Sequence, residues 1–175
     1  TNETLRKINA RELWQKILET RMQTGEPYLV FIDTVNKKMA KHQKNKGLKV
    51  TTSNLCSEIM LHTGVDHLGN ERTAVCCLSS VNLEKWDEWS TDEMFIQDVM
   101  RFLDNVLEDF INNAPDSMKN AVYSAKRERS VGLGAMGFHS FLQKKGIPFE
   151  SALAKSWNVK FFKHLKQEAD KASVI

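Results

Sequence analysis

The chain has 175 residues, 41% hydrophobic and 27% charged, a composition that fits one soluble folded unit with room for a core. Its 25 basic and 22 acidic residues leave a net charge of +3, too little by itself to argue for nucleic acid or an anionic membrane surface. No apolar run reaches bilayer length, no signal-peptide pattern is present, and three cysteines make no secreted disulfide framework, so a reducing, cytoplasmic location is expected.

Thr4 to about Met22 carries Leu5, Ile8, Leu13, Ile17, Leu18 and Met22 near a 3.6-residue period, which predicts an amphipathic helix stopped by Gly25-Glu26-Pro27. The apolar run Tyr28-Leu29-Val30-Phe31-Ile32 then predicts a strand covered on both faces, and the succession indicates α/β architecture. Six lysines between Lys37 and Lys49, with His42 among them, lack the interleaved aromatics and arginines of a nucleic-acid arm and read as a solvated helix and loop.

Thr51 to Ile59 holds an amide, a thiol and a carboxylate at alternate positions: Asn54, Cys56 and Glu58. If the segment is extended, these three share one face and Leu55 and Ser57 the other. A carboxylate beside a thiol disfavours the thiolate, which suits a neutral sulfhydryl beside a base better than a protease-type nucleophile. The bland reading is a half-buried strand with Cys56 as a small apolar residue.

His62 to Asn70 is rich in turn residues. Thr73 to Val81 reads as a second strand, with Ala74, Cys76 and Leu78 on one side and Val75, Cys77 and Ser79 on the other; the loop between is short enough to bring the two cysteine-bearing segments side by side. His62, His67 and the cysteines lack the paired spacings of a structural zinc site, so no metal is expected. Ser90 to Asn112 predicts a helix, with Ser90 and Glu93 as a capping box and a broad apolar stripe for core packing, ended by Pro115. Gly132-Leu133-Gly134-Ala135-Met136-Gly137 matches G-x-G-x-x-G, but no clear strand precedes it and the second strand of a dinucleotide fold is not found downstream. These glycines read as close packing between a short strand and a helix from about Met136 to Lys145. A last helix is expected from about Ser151 to the end, with Leu153, Trp157, Phe161, Phe162 and Leu165 as its apolar side. The sequence opens without Met and runs in helical pattern to Ile175, so it reads as a piece of a longer protein.

Three motifs in order, Ser53-Asn54-Leu55-Cys56-Ser57-Glu58-Ile59, Ala74-Val75-Cys76-Cys77-Leu78-Ser79-Ser80-Val81-Asn82-Leu83 and Arg129-Ser130-Val131-Gly132-Leu133-Gly134-Ala135-Met136-Gly137-Phe138, together resemble the large, catalytic subunit of class I ribonucleotide reductase. The wording is closest to bacterial class Ia members, and Gly25-Glu26-Pro27-Tyr28 also fits. The resemblance implies that residues 1–175 are one internal segment of the ten-stranded α/β barrel, without a complete second domain, the N-terminal ATP cone or the C-terminal parts.

It further implies roles. Cys56 would be the thiyl-radical residue, Glu58 the general base on the ribose 3′ hydroxyl, and Asn54 the residue orienting the sugar, with Ser53 and Leu55 completing the substrate-binding stretch. Cys76 would be one of the redox-active pair that ends as a disulfide, its partner lying on an earlier strand not present here, and Cys77 a packing residue. Tyr28 and Tyr123 do not match the family's radical-passing tyrosines. The implied partners are a ribonucleoside diphosphate, a radical-generating small subunit with its metal-radical cofactor, thioredoxin or glutaredoxin as reductant, and a second large subunit, with no nucleic acid and no membrane. ATP and deoxynucleotide effectors would act on the parent enzyme; no cofactor is expected within the segment, which alone would be inactive. The competing reading is a small α/β domain that binds a nucleotide or a protein, with Cys56 merely packed.

Overall fold

The computed structural model describes residues 6–174 and divides into two compact units, Thr1–Gly69 and Asn70–Ile175.

The first unit opens with α1 (Ala10–Thr24). Asn9 caps it, its Oδ1 accepting from Arg11 N–H at 2.9 Å, and Gly25 closes it at φ 81°, donating to Arg21 O. The helix starts later than its apolar period; Thr4 and Leu5 lie outside the described residues. None of its side chains is buried: Leu13, Trp14, Leu18 and Met22 are all exposed. The strand expected over residues 28–32 does not form. Residues 28–31 are irregular, Tyr28, Val30 and Phe31 are exposed, and Ile32 already begins α2 (Ile32–Lys38). A strand exists only as a member of a ladder, and this run has no ladder partner among the described residues. The lysine-rich stretch is, as expected, short helix and turn, with α3 (Lys41–Asn45) and all six lysines exposed. Leu48 and Val50 form the small apolar interior, beside buried Gln43, His62 and Asp66. The turn chemistry of residues 62–70 is realised at Asp66, whose Oδ1 accepts from Leu68 N–H at 2.9 Å and whose carbonyl accepts from Gly69 N–H. A two-residue strand, β1 (Gly64–Val65), lies just before it.

The second unit begins with β2 (Glu71–Arg72) and is built around a parallel pair, β3 (Leu78–Asn82) and β4 (Gly132–Met136), in the register Leu78↔Gly132 to Asn82↔Met136. Parallel strands need a long crossover; here it is supplied by α4 (Trp86–Trp89), α5 (Phe95–Asn113) and α6 (Lys119–Glu128). The strand expected from Thr73 starts at Leu78, yet the predicted alternation holds, with Cys77 and Val81 buried and Cys76 and Leu78 exposed. The glycine stretch is a strand followed by α7 (Phe138–Lys144). Its close approach, however, is to β3 rather than to the helix. A Cβ on Gly132 would stand 2.3 Å from Leu78 Cδ2, and one on Gly137 2.4 Å from Asn82 Oδ1.

The capping box at Ser90 and Glu93 is not formed. Ser90 instead ends α4, donating to Trp86 O, and Asp92 Oδ1 accepts from Met94 N–H ahead of α5. Two buried tryptophans make that first turn a separate short helix, which displaces the start of α5. The α5 stripe is core as expected, through Ile96, Leu103, Leu107 and Ile111. The final helix α8 (Ala152–Ala172) is capped by Ser151 and buries Phe161 and Leu165, whereas Leu153 and Phe162, assigned to its apolar side, are exposed. Trp86, Trp89, Phe141 and Phe161 meet edge to face in one cluster with Leu83 and Ile96. Each such fully buried side chain contributes about 1.5–3 kcal/mol. The side chains of Arg72 and Glu128, 2% and 6% exposed, pair at 2.6 Å. No helix among the described residues is long and apolar enough to cross a membrane.

Candidate active site

The stretch that carries Cys56 is a loop held by side chains instead of by a sheet. At its base, Asn36 of α2 takes the place of a neighbouring strand: its Oδ1 accepts from Val50 N–H and its Nδ2 donates to Val50 O, both at 2.9 Å. Val50 is 1% exposed, so its backbone groups would otherwise be buried without partners, at a cost of about 1–3 kcal/mol each. On the returning side buried His62 places Nδ1 2.7 Å from Lys49 O and Nε2 3.1 Å from Val65 O, so its single ring N–H donates to one or other of these two carbonyls. Nearer the tip, Asn54 Oδ1 accepts from Ile59 N–H at 3.0 Å, while Ser53 Oγ–H reaches Ile59 O at 2.9 Å. The tip is a turn in which Ser57 N–H donates to Asn54 O at 3.0 Å, with Ser57 at φ 65°.

This corrects the extended geometry. Residues 54–57 turn, so alternation no longer places Asn54, Cys56 and Glu58 on a common face. The physical reason is again the missing ladder: the loop's backbone groups are met by Asn36, His62, Ser53 and Asn54. Ser53, Asn54 and Leu55 help to wall an open cleft of about 390 Å³, with Glu26, Tyr28 and Thr52 on its other sides. Cys56 and Glu58 are exposed and are not part of that wall. The reading of Cys56 as a packed apolar residue is therefore not met. Asn36 and His62 were not read from the sequence as parts of this site. Each acts on a residue 14 or 13 positions away, and no local pattern signals such a contact.

Cys76 and Cys77 lie in the second unit. Cys76 is exposed, with its thiol free. Cys77 is buried among Leu103, Leu107, Ile111 and Ala125, and its Sγ–H points to Leu103 O at 3.3 Å. Burial pushes the Cys77 thiol above its ordinary range, with Cys76 and Asp104 adding to the effect. It is a packing residue, as expected, whereas its neighbour Cys76 faces solvent. Among the described residues no group of three or more His, Cys, Asp or Glu side chains is placed to hold a metal ion.

Comparison with known proteins places these features. The family model described as "Ribonucleotide reductase, barrel domain" matches residues 1–175. The ribonucleoside-diphosphate reductase large subunit of Invertebrate iridescent virus 3 is 46% identical over 99% of this chain and 27% of its own length. A putative ribonucleoside-diphosphate reductase large subunit of Frog virus 3 is 49% identical over 95% of the chain and 29% of its own length. Among solved structures, the Actinobacillus ureae class Id ribonucleotide reductase alpha subunit superimposes with a TM-score of 0.83 at 39% identity, over 93% of this chain and 31% of that one. The chain thus spans between a quarter and a third of these relatives. With the family model covering the whole sequence, the chain belongs to the ribonucleotide reductase family, as a segment of its α/β barrel domain.

Proposed function

We propose that this chain is the part of a ribonucleoside-diphosphate reductase large subunit that carries the sugar-attacking thiol, Cys56. The observation that carries the reading is the exposed Cys56 at the tip of a clamped loop, inside a family match over the whole chain. As a thiyl radical, Cys56 takes the 3′ hydrogen of a bound ribonucleotide, becoming S–H and leaving the radical on the sugar. Glu58 accepts the 3′ hydroxyl proton, and the 2′ hydroxyl leaves as water once it receives a proton. Asn54 orients the sugar through its amide. Two electrons come from a dithiol of which Cys76 is one member and which ends as a disulfide; the hydrogen on Cys56 then returns to the 3′ carbon, and the thiyl is restored.

The metal-radical group of a small subunit supplies the oxidising equivalent that forms the thiyl. Thioredoxin or glutaredoxin reopens the disulfide, and ATP and deoxynucleotide effectors bind other parts of the whole homodimeric, cytoplasmic enzyme. In the full-length large subunit assayed with its small subunit, Cys56→Ser should lower turnover at least about 1,000-fold, equivalent to ~4 kcal/mol of barrier. The thermal midpoint should stay unchanged. Substantial reduction of substrate by that variant would refute the assignment.

A further inference from the structure

Ser53 belongs to the stretch expected to contact substrate, but its surroundings assign it a different task. We infer that Ser53 is a positioning residue: with Asn54 it locks the Cys56 turn onto Ile59 and so fixes where the sulfur stands, an inference that rests on the proposed role of Cys56. Both backbone groups of Ile59 are captured by adjacent side chains, N–H by Asn54 Oδ1 at 3.0 Å and C=O by Ser53 Oγ–H at 2.9 Å. The same hydroxyl lies 3.2 Å from Asn54 Oδ1, a three-centre arrangement in which both neighbours can only accept. A hydroxyl has a single proton, and here it is committed inside the loop. Ser53 has none left to donate to a sugar.

The clamp has something to hold. Ser57 adopts φ 65°, a left-handed conformation that costs a residue with a Cβ and persists only where its surroundings enforce it. The turn bond from Ser57 N–H to Asn54 O lies within the span closed by the Ser53 and Asn54 bonds to Ile59, so loosening that closure frees Leu55, Cys56 and Ser57 together. The arrangement also fixes the amide of Asn54. A backbone N–H can only donate, so Oδ1 must face Ile59, and Nδ2 is the end left over. Asn54 therefore offers donors to a ligand, which matches the oxygen acceptors of ribose hydroxyls.

The test uses the full-length large subunit with its small subunit. Ser53→Ala should lower kcat about ten- to a hundredfold, the scale of a reacting group displaced by about 1 Å, with KM for the ribonucleotide within twofold. Ser53→Thr, which keeps the hydroxyl, should return kcat to within about threefold of the parent. Independently of activity, Ser53→Ala should speed amide hydrogen exchange in the peptide spanning residues 53–61 and nowhere else. A raised KM at unchanged kcat would make Ser53 a substrate ligand and overturn the inference. So would a Ser53→Thr variant as slow as Ser53→Ala, or unchanged exchange in the 53–61 peptide. Activity persisting in Cys56→Ser would instead sink the assignment of Cys56, leaving the exchange result to judge the clamp alone.

Discussion

Gly137 shows how one residue can be dictated from two sides. Its φ of 76° favours glycine, and an added Cβ would fall 2.4 Å from Asn82 Oδ1, the atom that accepts from Glu84 N–H where the strand β3 turns into helix. Gly137→Ala should therefore destabilise the second unit by about 1–3 kcal/mol, read as a lowered urea midpoint; an unchanged midpoint would mean that the strand end yields freely. That these glycines mark close approach was legible in the sequence, because only a missing side chain lets backbones come so near. That the neighbour is β3 was not, since Asn82 is far away along the chain. The same limit applies at the candidate site. Asn54, Cys56 and Glu58 could be picked out by type and order, yet Ser57 at φ 65° is a non-glycine in a conformation that sequence does not announce, and it is this residue that bends the segment.

At the scale of elements, the helices were read more faithfully than the strands. α5 and α8 carry their own periodicity, and α8 its own Ser151 cap, whereas a strand is made by its neighbour; residues 28–32 look like a strand and have no ladder to join among the described residues. α6 was missed because Lys119 to Glu128 is only ten residues long and the side it buries is made of small residues, Ser124 and Ala125, and it is held largely from outside. Arg129, left-handed at φ 48°, ends it and forks onto Asp104 and Glu108 of α5. The guanidinium holds the Glu108 carboxyl below its ordinary value, as Lys145 does for Asp87 and Lys171 with Gln97 does for Glu168. Carboxyls depressed in the folded state contribute stability that is present above their unfolded values and is lost as pH falls through the folded ones. The urea midpoint of the second unit should accordingly be insensitive to these groups between pH 7 and about pH 5 and decline below about pH 4.5. Glu108→Gln should flatten that decline. An identical acid profile for the variant would show that the Arg129 corner is not coupled to stability.

For the molecule as a whole, the exposed apolar side chains are concentrated where the sequence promised burial. α1 presents Leu13, Trp14, Leu18 and Met22 to solvent, followed by Tyr28 and Phe31, large apolar side chains of the kind that favour association when exposed together. The 175-residue chain by itself should associate in sedimentation at roughly 100 µM, within the range where exposed apolar surface drives aggregation, and Leu18→Glu should reduce that association. A strictly monomeric chain at that concentration would show the surface to be innocuous. The pairing of β3 with β4 bears on the chain's synthesis as well. Gly132 leaves the ribosome roughly fifty residues after Leu78, which at about 5–20 residues per second means several seconds of waiting. Throughout that interval the nascent β3 has no mate among the described residues, and its open hydrogen-bonding edge is a place where a chaperone, or a second nascent chain, would take hold.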